Sequence, residues 1–110
     1  MVRVMILEPG KHAEVRFICP KKLDIMLGGA PEIEEVFDGI AIAVNAEGKI
    51  KGLPLNRSVL DDKGEIADIF AGTMVIFGYE SHDTLISLSD EQIIQLLGVF
   101  GEPETPGDWV

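Results

Sequence analysis

The sequence has few of the residues on which disulfide, metal and nucleophile chemistry depends. Its one cysteine, Cys19, cannot form a disulfide within the chain, so the fold must be stable without a crosslink, as is usual in a reducing compartment. His12 and His82 are isolated from one another and from Cys19, which has no CxxC or CxH neighbour, and this argues against a zinc site. We expect no metal ion, no cofactor and no catalytic residue that the sequence alone could identify.

Long hydrophobic runs are also missing. The N-terminus has only four apolar residues in a row, residues 4–7, before Glu8 and Pro9. Such a run is too short for the apolar region of a signal peptide and far too short to span a membrane. We therefore expect a cytoplasmic protein with no membrane contact.

The whole chain has a formal net charge of −10. Basic residues are nearly missing from its second half. Residues 1–55 contain seven Lys/Arg and eight Asp/Glu, a net charge of −1, whereas residues 56–110 contain two and eleven, a net charge of −9. This charge repels nucleic-acid phosphates and argues against direct nucleic-acid binding. The acidic half serves either solubility or the docking of a protein partner that is itself basic.

Hydrophobic residues make up 46% of the 110 residues, which suits one globular domain. Alternating and buried-type apolar runs predict an α+β fold over residues 1–101, with a mostly antiparallel sheet of about five strands and two main helices. The predicted strands are residues 2–7, 13–18, 32–37, 40–45 and 73–79. A further short strand is expected around Ile50 and Leu53. We expect residues 54–60 to be irregular or to form one helical turn. The pattern of residues 65–71 fits either a helix or a strand.

Two helices are predicted, one over residues 21–27 and one that begins at Ser89. The sequence SDEQ from Ser89 to Gln92 is a capping box, in which each side chain satisfies a backbone N–H of the other residue. Apolar residues follow at helical spacing, so this helix should cover one face of the sheet; they are Ile93, Leu96, Leu97 and Phe100. Residues 102–110 are rich in proline, glycine and acids, and we expect a mobile acidic tail.

The candidate binding residues centre on Arg57, the only arginine after Arg16. On one interpretation Arg57 pins its own loop by pairing with a nearby acid, namely Asp61, Asp62 or Asp68. On the other, Arg57 and Asn56 offer planar donors and an amide to an anionic ligand or partner, with the side chains of Asp68 and Thr73 at the neighbouring strand end. The acid-rich turn at residues 61–65 lacks the ligand spacing of a calcium loop and indicates a hairpin turn.

Trp109, the only tryptophan, is the last candidate. It either packs back on the domain or serves as an exposed anchor for a partner. Ordering eight linking residues costs about 1 kcal/mol or more each. Burying an indole gains only about 2–3 kcal/mol. The balance favours an exposed Trp109.

Four segments occur in the order EPGK (residues 8–11), GLPLNR (52–57), GEIADIFAGT (64–73) and SLSDEQI (87–93). In this series the chain resembles the family called domain of unknown function 3846, small acidic proteins of phages, plasmids and related mobile elements. The resemblance covers almost all of residues 1–100. It implies a small accessory protein of a mobile genetic element, and it implies no catalytic residues.

The function favoured by the sequence is that of a non-enzymatic interaction protein that presents an acidic face to a protein partner. A DNA mimic that inhibits a nucleic-acid-binding protein would be one form of it. The alternative is a binder of a small anionic ligand, or an enzyme, with its site around Arg57. A mimic needs carboxylates spread over a convex surface, whereas a ligand site needs a pocket that converges on Arg57. The oligomeric state is left open.

Overall fold

A five-strand antiparallel path, in the order β2-β1-β7-β4-β3, forms the centre of the computed structural model, which describes residues 1–80 and 84–109. His82 lies outside the described residues. The strands of the path are β1 (Val2–Leu7), β2 (Glu14–Ile18), β3 (Pro31–Phe37), β4 (Ile40–Asn45) and β7 (Met74–Tyr79). The short β8 (Leu85–Ile86) extends this sheet beside β7, and β5 (Leu55–Leu60) and β6 (Ile66–Ala71) form a separate antiparallel hairpin.

Two helices complete the fold. A 3-10 turn, Pro20–Lys22, leads into α1 (Leu23–Leu27), and α2 (Asp90–Phe100) follows β8. A second 3-10 turn, Pro106–Trp109, lies near the C-terminus. The predicted α+β fold, with an antiparallel sheet of about five strands and two helices, is confirmed.

Successive side chains of a strand point to opposite sides, so the strands of the sheet supply side chains to two separate faces. Both faces are buried under other parts of the chain. One face packs against α2 and the β5–β6 hairpin, through a cluster that includes Met5, Ile42, Met74, Ile76, Phe70, Leu96 and Phe100. The other face packs against α1, through Val4, Ile6, Ala41, Ala43, Val75, Phe77, Leu23 and Leu27. The central strand β7 and its neighbour β4 are therefore apolar on both faces, which is why residues 74–77 form a continuous hydrophobic run.

Helix α2 begins as the sequence predicts. The Ser89 hydroxyl accepts the backbone N–H of Gln92 at 3.1 Å, and the Gln92 side chain accepts the Ser89 N–H at 2.9 Å. Leu96 and Phe100 are fully buried against the sheet, whereas Leu97 is exposed. The apolar stripe is therefore narrower than predicted, and Leu97 lies on its flank.

The segment between β4 and β7 differs most from the prediction. Residues 50–53 form turns and no strand, and Ile50 is 87% exposed. Residues 55–60, predicted to be irregular or helical, form strand β5, and residues 66–71 form strand β6. The helical spacing of Ile66, Ile69 and Phe70 was misleading, because only Phe70 of the three is buried.

The acidic turn that joins β5 to β6 is a hairpin turn, as predicted. The Asp61 carboxylate accepts the backbone N–H groups of Lys63 and Glu65, at 2.8 and 2.9 Å. Gly64 adopts φ +77°, a conformation that glycine takes without steric cost. Across residues 1–80 and 84–109, no helix combines the length and the apolar character that crossing a membrane requires.

Candidate functional site

Asn56 lies at the junction where three parts of the chain meet. Its side chain is fully buried, and its Nδ2 donates to the carbonyl oxygens of Leu7 and Gly72, both at 2.8 Å. Gly72 in turn donates its N–H to the Pro54 carbonyl at 2.7 Å. One amide side chain therefore ties β5 to the end of β1 and to the turn between β6 and β7.

Arg57 extends this junction toward the end of α2. Its guanidinium is also fully buried and donates from three nitrogens to three different oxygens. Nε donates to the Phe100 carbonyl at 3.1 Å, and Nη2 donates to the Lys11 carbonyl at 2.7 Å. Nη1 donates to Oδ1 of Asn56 at 2.7 Å. Asn56 and Arg57 thus form one connected pair, which we call the Asn56–Arg57 brace.

The predicted pairing of Arg57 with Asp61, Asp62 or Asp68 is wrong. β5 is a strand, so successive side chains point to opposite sides. Register irregularities between Leu55 and Arg57 accompany the burial of both Asn56 and Arg57. The partners of Arg57 are carbonyl oxygens, because its guanidinium points into the domain and not toward the exposed hairpin turn.

Burial of this charge lowers the pKa of Arg57, and the negative charge of Glu104 acts in the opposite direction. Glu104 is held close by the residue that follows Arg57. Its carboxylate accepts the Ser58 backbone N–H at 3.0 Å and the Ser58 hydroxyl at 2.7 Å. The Arg57 guanidinium is therefore a buried cation. Neutral oxygens accept its hydrogen bonds, and the nearby Glu104 carboxylate partly compensates its charge.

Thr73 lies beside the brace but faces a surface groove of about 420 Å³. Three of the segments on which the family resemblance rests border this groove, contributing Glu8, Pro9, Lys11, Leu53, Pro54, Gly72 and Thr73. The C-terminal end of α1 forms the remaining wall, which includes Met26 and Gly28. Because Asn56 binds the carbonyl of Gly72, the brace positions the chain from which Thr73 projects.

Asp68 lies apart from the brace, in a cleft of about 190 Å³ between the hairpin and strand β3. Its Oδ1 accepts the Lys49 ammonium at 2.6 Å and the Ile69 backbone N–H at 2.8 Å. Glu32 and Glu34 of β3 line the same cleft, together with the exposed Ile50. Three carboxylates and one lysine therefore line this cleft, and the lysine pairs with Asp68.

Trp109 occupies a third place, and the expectation that it is exposed is corrected. The indole is partly buried, and its Nε1 donates to Oε1 of Glu104 at 2.8 Å. It borders a largely apolar cavity of about 580 Å³, together with Pro9, Pro54 and Leu55. Burial of the indole is not the only gain, because the Glu104 carboxylate binds both the indole and Ser58 and so anchors residues 104–109 to β5. The mobility of residues 102–110 stays a prediction.

Glu104→Ala should release Trp109 from the domain, because the carboxylate is the link between the indole and Ser58. We expect the tryptophan emission of the variant to move to longer wavelength and to become more accessible to iodide. The matched control is Glu102→Ala, whose carboxylate lies on the surface near His12. Emission that is already as red-shifted in the unchanged protein as in the unfolded chain would contradict the contact.

The five predicted site residues therefore occupy three places. Asn56 and Arg57 form the brace, with Thr73 on the adjoining groove, while Asp68 and Trp109 lie in separate clefts. Sequence reasoning missed Glu104 and Ser58, which lie 46 residues apart and carry no motif. Within the part of the chain that the structure describes, no group of three His, Cys, Asp or Glu side chains is placed to hold a metal ion.

The fold and these places define a small two-sided α+β domain with a buried polar junction and several shallow surface clefts. The model of the family described as domain of unknown function (DUF3846) matches residues 2–101, so the chain belongs to that family. The chain matches no curated protein and no solved structure at a significant level.

Proposed function

We propose that this protein is a non-enzymatic interaction protein that binds a basic protein partner through an acidic face. That face consists of Glu32, Glu34 and Asp68 around the cleft between β3 and the hairpin. The family resemblance adds the context of a mobile genetic element, in which the partner belongs to the host or to the element. A partner that normally binds nucleic acid would make this protein a DNA mimic.

The observation that carries the proposal is the composition of this cleft. Glu32 and Glu34 lie opposite Val44 and Ile42 in the β3–β4 register, and therefore on the α2 side of the edge strand. Both are exposed, and the one basic residue that lines the cleft, Lys49, is already bound to Asp68. The cleft thus presents two carboxylates, Glu32 and Glu34, that form no ion pair with any residue in the described ranges 1–80 and 84–109.

An apolar contact lies within the same cleft. Ile50 is 87% exposed and lines the cleft beside the carboxylates. Specific protein interfaces combine an apolar centre with a polar rim, and Ile50 with the carboxylates around it offers that combination. A lysine- or arginine-rich segment with an apolar side chain is the chemistry that fits.

The alternative, a site for an anionic ligand at Arg57, has less support. The guanidinium is 0% exposed, and each of its three nitrogens already donates to an oxygen of the domain. A ligand would have to displace a carbonyl or Asn56 before it could reach the charge. The groove beside Thr73 does not converge on Arg57.

The proposal is tested by affinity capture from host lysate at low and high salt. The triple variant Glu32→Gln/Glu34→Gln/Asp68→Asn keeps the shape of the cleft, removes its three negative charges and leaves the Lys49 ammonium without its ion-pair partner. We expect it to retain about tenfold less of the captured partner at low salt, because steering by a charged cleft changes association by a factor of about 10 or more.

The control variant is Asp24→Asn/Glu91→Gln/Glu102→Gln, which loses the same number of charges at exposed positions away from the cleft. It should retain the partner as the unchanged protein does. Equal losses in both variants would show that net charge, and not this face, governs capture, and no salt-sensitive partner at all would overturn the proposal.

A further inference from the structure

The two edges of the main sheet differ in a way that points to self-association. The edge strand β3 starts with Pro31, has a register irregularity between Glu35 and Phe37, and carries three glutamates. Proline, irregularities and charged side chains are the features that hinder an edge strand from pairing with another chain, and charges of one sign also repel a second copy of the same strand. The opposite edge, β2, has a regular register with β1 and no proline, and its two charges, Glu14 and Arg16, are of opposite sign.

Two apolar side chains of β2 are exposed on the α2 side of the sheet. Val15 and Phe17 are 41% and 62% exposed, and their register partners on β1 are Met5 and Arg3. Met5 is part of the core under α2, so Val15 and Phe17 belong to the same face. Helix α2 covers β1 but leaves these two residues in water.

One exposed flank of α2 carries apolar residues as well. Asp90 lies on the side of the helix nearest Arg3, because its carboxylate binds the Arg3 guanidinium at 2.9 Å. Ile94 and Leu97 follow Asp90 by four and seven residues and so lie on the same flank, and both are exposed. Exposed apolar side chains therefore occur on α2 as well as on β2.

On its other face β2 carries one charge of each sign. The Arg16 guanidinium binds the Glu14 carboxylate through two nitrogens, Nε at 2.8 Å and Nη2 at 2.9 Å. The pair is exposed and spans positions i and i+2, the spacing of neighbours on one side of a strand. Glu14 and Arg16 are thus placed symmetrically about Val15.

We propose that β2 binds β2 of a second copy of this chain, antiparallel, about a two-fold axis at Val15. The axis is perpendicular to the sheet, so each face of one copy continues as the same face of the other. Glu14 then lies opposite Arg16 of the second copy, and Arg16 lies opposite its Glu14. Val15 meets Val15, and the exposed Phe17 of each copy comes to lie beside the N-terminal end of the other β2.

Charge complementarity selects this register over its neighbours. A two-fold pairing must shift in steps that keep the faces matched. The next register in one direction places Arg16 against Arg16, and the next in the other direction places Glu14 against Glu14. Like charges directly opposite one another destabilise a strand pair.

The same operation excludes β3 as the dimer edge. A two-fold pairing centred at any of residues 32–35 opposes glutamate to glutamate, because Glu32, Glu34 and Glu35 occupy this strand. The dimer through β2 leaves both β3 edges, and with them both acidic faces, at the outer ends of one continuous sheet. A basic partner and a second copy therefore bind different edges of the sheet.

The test is the mass in solution of the full chain and of charge-reversed variants. We expect the unchanged protein to reach twice the chain mass of 12.0 kDa in light scattering as its concentration rises. Glu14→Arg and Arg16→Glu each place like charges across the axis, and each should weaken dimerisation by about tenfold or more. Both positions are exposed, so the melting temperatures should change little.

Mixing the two single variants separates the dimer from any effect within one chain. Glu14→Arg carries two arginines on this face of β2, and Arg16→Glu carries two glutamates. Each variant places like charges across the axis when it pairs with itself, whereas a mixed dimer forms both ion pairs. We expect an equimolar mixture to regain twice the chain mass, a recovery that an intrachain role of the Glu14–Arg16 pair cannot produce.

Glu34→Arg is the control, since it alters the opposite edge and should leave the mass of the dimer unchanged. A mass that stays at 12.0 kDa up to about 1 mM would overturn the proposal. So would a dimer that both single variants retain, because its contact would then lie elsewhere on the molecule. A mixture that stays monomeric would exclude this register.

Discussion

Arg57→Ala should lower the free energy of unfolding by about 3–5 kcal/mol. The substitution leaves three oxygens without their donor inside the domain, on Phe100, Lys11 and Asn56. Each buried acceptor that loses its partner costs about 1–3 kcal/mol, and relief of the buried charge offsets part of the sum. Urea denaturation followed by circular dichroism measures the change.

Arg57→Lys distinguishes a structural role from a binding role. Lysine keeps the charge, but its single ammonium cannot reach three oxygens that three separate guanidinium nitrogens now contact. We expect a smaller loss of stability than in Arg57→Ala, and no loss of partner capture beyond what the lower stability explains. Lys51→Ala, at an exposed position, is the control and should change stability by less than about 0.5 kcal/mol.

An unchanged melting temperature in Arg57→Lys, together with loss of a captured partner, would contradict the structural role. The guanidinium would then be available to a ligand in solution despite its burial. The alternative function, a site for an anion around Arg57, would gain support from that result.

The strands of the main sheet and helix α2 were predictable, because each follows from a local pattern. Residues 74–77 are apolar without interruption, as a strand covered on both faces must be. The capping box at Ser89 defines the start of α2 from four residues alone. Such patterns need no knowledge of what lies across the fold.

Strand β5 was not predictable, because its stability depends on distant groups. Proline precedes it, and Asn56 and Arg57 interrupt the apolar alternation that identifies a strand. Both side chains are buried only because Leu7, Gly72, Lys11 and Phe100 offer carbonyl oxygens from other segments. Strong polar residues at a buried strand position look like a loop until those partners are known.

The contacts of the candidate site residues also depend on distant parts of the chain, so the sequence could not predict them. The rarity of arginine in the second half identified Arg57 correctly as unusual, but sequence could not decide whether it faces the core or the solvent. Glu104, which anchors the indole of Trp109 and compensates the charge of Arg57, is one of nineteen acids and carries no signal of its own. Only the fold brings it to Ser58.

Leu96→Ala is the second substitution for which we expect a large effect, a loss of about 2–5 kcal/mol of unfolding free energy. Leu96 is 0% exposed and belongs to the cluster that joins α2 to Met5, Ile42 and the other residues of that face. Truncation removes the burial of the isobutyl group and leaves a cavity, because the sheet beneath α2 cannot collapse to fill it. A loss of this size is a large share of the about 5–15 kcal/mol typical of such domains.

Ser89→Ala, in the same helix, is the matched comparison. It removes one capping hydrogen bond at an exposed helix end, so it should cost only about 1 kcal/mol. Chemical denaturation of the two variants tests whether packing on the sheet, rather than capping, dominates the stability of α2. A greater loss in Ser89→Ala than in Leu96→Ala would mean that the helix does not pack on the sheet as described, because a buried leucine cannot be the weaker contribution.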